Sequence, residues 1–206
     1  MSCFFVLRSQ FPSTPLDFLI AQFTEQMVHS ECILLGVNKE LVKYSFTIFA
    51  HDRVECRKIE YHDIIDMEDE WENLIFPISD VEAEDIFAFL MDMYSNKIEY
   101  NYSDSRFLLP FLNCFDKNPI IQDVPHGTKP NKIKKVFCSQ MICLTLRENL
   151  EKDGSNQKLR EKLWDVNSRL ISPGVLRNIV AEHSEVLSGD GLWEKLQHFA
   201  CDASTA

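Results

Sequence analysis

Apolar and polar positions change rhythm along this chain. From Met27 to Val37 the stretch MVHSECILLGV is rich in β-compatible residues and stops at the turn-like Asn38-Lys39-Glu40. From Tyr44 to Ala50, YSFTIFA sets Tyr44, Phe46 and Ile48 against Ser45, Thr47 and Phe49 in strict alternation. The pair predicts a β-hairpin. VECRKIEYHDII, Val54 to Ile65, predicts a third strand, and WENLIFPIS, Trp71 to Ser79, a fourth. Ahead of them, STPLDFLIAQFTEQ predicts a short helix with Ser13 or Thr14 as cap and Pro15 in the first helical position, where a missing N–H costs nothing. The opening CFFVL is a short apolar run to which the pattern assigns no element.

After Ser79 the period lengthens. Ser79 and Glu82 have capping-box spacing, and Ile86, Phe87, Leu90, Met91 and Tyr94 recur as one helical stripe, with Phe87 and Leu90 expected to face the core. Phe107 to Cys114 predicts a short helix, and the proline-rich Asp116 to Lys132 a loop. A helix follows from Cys138 to about Lys152, then a polar loop at Glu151 to Lys158. A last helix runs from Ser172 to Leu187, with Ser172 as N-cap and Pro173 in its first turn. This order predicts an α+β fold with an antiparallel sheet. It reads as a single domain over 1–206, with its core at about 15–180 and a disordered polar tail at about 200–206.

Charge narrows the partners. The formal net charge of the 206 residues is -11, the wrong sign for a general nucleic-acid binder, which needs a cationic face for phosphates. Lys129, Lys132, Lys134 and Lys135 form a local basic patch, of the kind most often found as a solvated turn. The seven cysteines are scattered with no C-x-x-C, which disfavours a zinc ribbon. Asp66 to Glu72 lacks the glycine and spacing of a calcium loop. No metal or cofactor is therefore expected. CFFVL is too short for a signal peptide, and no stretch approaches a membrane span, so free thiols in a reducing cytoplasm and no transmembrane segment are expected.

Cys138 stands where an extended stretch gives way to the helix SQMICLTLREN. A helix N-terminus favours a thiolate, Lys134 and Lys135 precede it, and backbone N–H groups there can hold an oxyanion. The expectation is a thiol pKa below the ordinary value of about 8.5. Cys143, five residues on, reads as core. Among six histidines, His29 lies inside a predicted strand, with Glu31 on the same strand face to orient it. Ser45 and Thr47 on the neighbouring strand are alternative orienters, the choice resting on hairpin register. His51, His62, His126, His183 and His198 fall in polar or loop settings. Taken singly, Cys138 and His29 are more often structural residues; a base and a nucleophile together form a candidate dyad.

The order of these pieces resembles the permuted papain-like (NlpC-type) cysteine hydrolases. The matching features are His29 and Glu31 in an H-x-E strand, Trp71 before an apolar run, Phe137-Cys138-Ser139 opening the central helix, and Ser172-Pro173 starting the last. The resemblance covers roughly residues 15 to 180 and departs from the family in lacking a glutamine before Cys138 for the oxyanion hole. It implies a circularly permuted papain-like fold with the central helix starting at the cysteine. It also implies a cysteine peptidase- or amidase-type hydrolase, or an acyl-transfer enzyme, in which Cys138 attacks, His29 is the general base, and Glu31 or Thr47 orients it. Peptide, isopeptide or acyl-lipid substrates follow, and a bacterial, phage or viral source. The alternative is a catalytically inactive papain-like fold serving as a structural or interaction protein, for example a virion component.

Overall fold

The N-terminal run Cys3–Gln10 forms strand β1 and lies in the middle of the sheet, hydrogen-bonded to β2 (His29–Leu35) on one side and β5 (Trp71–Ile78) on the other. Phe5, Val6 and Leu7 are all fully buried. A strand covered on both faces reads as a continuous apolar run, so periodicity alone assigned it nothing. The computed structural model describes residues 3–22, 24–35, 44–48, 53–58, 70–101, 122–192 and 194.

The predicted hairpin forms, with β3 (Tyr44–Thr47) antiparallel to β2 through Cys32 opposite Phe46, Ile33 opposite Ser45 and Leu34 opposite Tyr44. The third strand is β4 (Glu55–Lys58), paired to β3. The fourth, β5, pairs with β1, not β4, and β8 (Glu185–Leu187) adds to its outer edge. The resulting six-stranded antiparallel sheet has the order β4-β3-β2-β1-β5-β8. A separate parallel pair joins β6 (Glu99–Tyr100) to β7 (Lys135–Val136).

The helices are α1 (Pro15–Ala21), α2 (Asp80–Ser95), α3 (Cys138–Asn149), α4 (Gln157–Asp165) and α5 (Pro173–Ala181). Thr14 caps α1 and Ser79 caps α2, each in a reciprocal capping box, with Asp17 and Glu82. Ser172 caps α5 through the Val175 N–H. Two expectations change here. The last helix stops at Ala181, and Glu185–Leu187 becomes an edge strand because Asn73, Leu74 and Ile75 of β5 have an open side to pair with. The segment expected as loop up to Lys158 is already helical from Gln157, since Leu159 and Leu163, four residues apart, both reach the core. On α2 the core stripe is Ala83, Ile86, Leu90 and Met93; Phe87 and Met91 lie on its flank, and Tyr94 is 43% exposed. The helix thus turns less of Phe87 inward than expected.

The main core lies between α2–α5 and one sheet face, which presents Phe5, Leu7, Cys32, Leu34, Phe46, Leu74 and Phe76. The other face carries Val6, Ile33, Leu35 and Ile75 with Leu192. The start of β2 is fixed by the turn after α1. Glu25 and Gln26 both have positive φ, and Thr24 donates its hydroxyl to the carbonyls of Ile20 and Met27. Gly174, in the first turn of α5, donates its N–H to the Thr24 carbonyl, and a Cβ there would come within 2.3 Å of that oxygen. Only glycine permits this approach, which ties α5 to the turn that aims β2.

The five described cysteines are free thiols. No described helix is long and apolar enough to cross a membrane. The expected helix at Phe107–Cys114 and the C-terminal tail lie outside the described residues.

Candidate functional site

Phe137, in extended conformation, precedes α3 and has no polar side chain with which to cap it. The first N–H groups of a helix need an acceptor, and those of Cys138 and Ser139 lie near the Cys138 sulfur and favour its thiolate. A third N–H reaches it from the sheet. The β2–β3 register runs only from Cys32 to Leu34. Beyond it, the Ser30 N–H lies near the Cys138 sulfur and favours its thiolate. That N–H belongs to the peptide unit joining His29 to Ser30, so the thiol sits against the backbone that carries the imidazole. The Ser139 hydroxyl lies against the sulfur as well and donates to the Ile171 carbonyl at 2.7 Å.

His29 is the first residue of β2 and is buried. Its Nε2 lies 2.8 Å from Thr47 Oγ1 at the end of β3. The indole of Trp71 meets the imidazole edge-on, ring centroids 6.0 Å apart at 89°. The Arg8 guanidinium in turn lies 4.8 Å over the Trp71 ring and donates from Nε to Asn73 Oδ1 at 3.0 Å. Of the orienters expected for His29, Thr47 is in contact with it. Glu31 is engaged elsewhere: its carboxylate takes Arg8 Nη1 at 2.5 Å, the Ser45 hydroxyl at 3.2 Å and Arg57 Nη2 at 3.5 Å.

The electrostatics reverse one expectation. Burial, the largest influence, raises the Cys138 thiol above its ordinary pKa, and the surrounding hydrogen bonds pull it back only in part. The same effect, with the Arg57 charge second, lowers His29 to about 3. Cys138 is only 4% exposed, and at that depth desolvation of a thiolate outweighs the helix terminus and the exposed lysines. The pair rests as neutral thiol and neutral imidazole. By strand alternation the neutral imidazole of His29 shares a face of β2 with Glu31 and Ile33, while the neutral thiol of Cys138 packs in the core with Cys32 and Leu34 on the other face.

Cys143 is fully buried in the core, and burial pushes its thiol to about 12. His126 stacks on Trp164 with centroids 3.8 Å apart. His183 closes the turn after α5. His51, His62 and His198 lie outside the described residues. No described group of three or more His, Cys, Asp or Glu side chains is placed to hold a metal ion.

Sequence reasoning missed Arg8 and the Ser30 N–H. Arg8 left one trace, a charged residue inside an otherwise apolar run. A backbone N–H leaves none.

No protein-family model, no curated protein and no solved structure matches this chain.

Proposed function

We propose that this protein is a cysteine hydrolase with a permuted papain-like (NlpC-type) fold, using Cys138 as nucleophile, His29 as general base and Thr47 to orient it. The observation that carries this reading is the place of Cys138 at the first position of α3, where backbone N–H groups near its sulfur favour the thiolate, while Thr47 holds the imidazole of His29 at the start of β2. The chain order supports it, with the histidine strand before the cysteine helix.

In this mechanism His29 takes the Cys138 proton as the sulfur attacks the carbonyl carbon of an amide, ester or thioester. The N–H groups at the start of α3 stabilise negative charge, first on sulfur and then on the carbonyl oxygen. Collapse of the tetrahedral intermediate breaks the bond to the leaving group, which takes the proton from the imidazolium. Water, deprotonated by His29, then cleaves the acyl-cysteine and restores the thiol. Because the resting pair is neutral, proton transfer accompanies attack.

A second reading has its own support. The deep burial and raised pKa of Cys138 suit a papain-like fold that has lost its chemistry and serves as a structural or interaction protein. Iodoacetamide labelling of the native protein, read cysteine by cysteine by mass spectrometry between pH 6 and 9, separates the two. The hydrolase reading expects Cys138 to label faster than Cys32 and Cys143, and His29→Ala to slow it. Equal rates at Cys138 and Cys143 overturn it in favour of the second.

A further inference from the structure

Beside the first turns of α3 opens a cleft of about 360 Å³. Lys132, Lys134, Lys135 and Arg169 line it together with Asn101 and Gln140, and no described carboxylate does. In a chain with 32 acidic residues against 21 lysines and arginines, a cleft with cations alone in its described walls runs against the overall charge. Lys135 also meets Glu99 at 3.5 Å, an exposed pair that leaves its charge close to solvent. Gln140 is 1% exposed, and its Oε1 is buried without a hydrogen-bond partner. A buried acceptor without a donor is costly, so the cleft asks for a ligand that brings anions and a hydrogen-bond donor together.

We propose that this cleft binds an acidic peptide segment. Its carboxylates pair with the lysines and Arg169, and one of its backbone N–H groups donates to Gln140 Oε1. A phosphate group would answer the cations but offers no N–H to Gln140. Gln140 lies two residues beyond Cys138 on α3, and Lys134 and Lys135 lie shortly before Cys138, so the cleft adjoins the start of the helix that carries the thiol, although Cys138 is not among its described walls. The proposal names a substrate class for the site at Cys138 and rests on the hydrolase reading for its catalytic consequence.

The test is fluorescence anisotropy with the full-length Cys138→Ser protein, which binds without turnover. The probes are a fluorescein-labelled glutamate-rich peptide and the same peptide with every glutamate replaced by glutamine. The acidic peptide should bind about ten-fold or more tightly than its counterpart and weaken with salt, as expected of charge pairing. Lys132→Glu with Lys134→Glu should weaken it about ten-fold. Gln140→Met, which conserves volume, should weaken it with the thermal melt unchanged. Equal binding of the two peptides, or indifference to the lysine reversals, overturns the proposal. So does displacement by inorganic tripolyphosphate, at matched ionic strength, as effective as that by unlabelled acidic peptide; the cleft is then a phosphate site. Peptide binding alongside an unreactive Cys138 sinks the hydrolase reading and leaves the cleft assignment standing; a reactive Cys138 with no peptide binding does the reverse.

Discussion

His29 Nε2 and Thr47 Oγ1 lie 2.8 Å apart, joining β2 to β3 past the last backbone pair of their register. The side chains continue the strand pairing where the backbone stops, and they fix the imidazole at the start of β2. Thr47→Val keeps the shape and removes the hydroxyl. It should cost about 1–3 kcal/mol in urea unfolding and slow labelling of Cys138, whereas Thr47→Ser should restore both. Unchanged labelling in the valine variant would remove Thr47 from the site.

The low pKa of His29 makes stability depend on pH. Below about pH 6.5 the unfolded chain binds a proton that native His29, at about 3, does not. The contribution is therefore complete above that value and is lost as pH falls toward 3, with a slope of up to about 1.4 kcal/mol per pH unit. Unfolding free energies at pH 7, 5 and 4 should fall less steeply for His29→Gln than for the native chain. The buried thiols act with opposite sign. Cys3 and Cys143 are both pushed up to about 12 and Cys138 is raised. Their stability is present below about pH 8.5 and drains away as pH climbs.

Arg8 and Glu31 form a buried ion pair at 2.5 Å. Arg8→Met leaves the Glu31 charge to Ser45 and to Arg57, which is 44% exposed, and should cost about 3–5 kcal/mol. Adding Glu31→Leu should recover much of that loss, because an uncompensated buried charge is then gone. A double-mutant cycle measures the coupling; simple additivity would mean the pair carries none.

Leu90 on α2 is fully buried while Phe87 lies on the flank, stacked on Tyr44 with centroids 6.1 Å apart. Leu90→Ala should cost about 2–5 kcal/mol, and Phe87→Ala less, despite the larger side chain. Equal losses would place the core-facing stripe of α2 nearer to Phe87.

Local signals determined much of this protein from sequence alone. Ser79 announced its helix through capping-box spacing with Glu82, and Ser13 or Thr14 and Ser172 through a hydroxyl-proline start, because a cap is satisfied within four residues of itself; the structure chose Thr14. The β2–β3 hairpin was legible from alternation, and Cys138 at a helix start from the change of period. Tertiary structure alone decided what depends on distant partners. β1 is central because β2 and β5 cover both its edges, and its buried faces erased the alternation that would have announced it. Glu185–Leu187 became a strand because β5 offered an open edge. Register gave His29 to Thr47 and Glu31 to Arg8, a choice no spacing within one strand contains. Finally, the sequence places Cys138 where a helix terminus favours a thiolate, but depth of burial sets its pKa, and desolvation at that depth outweighs the terminus.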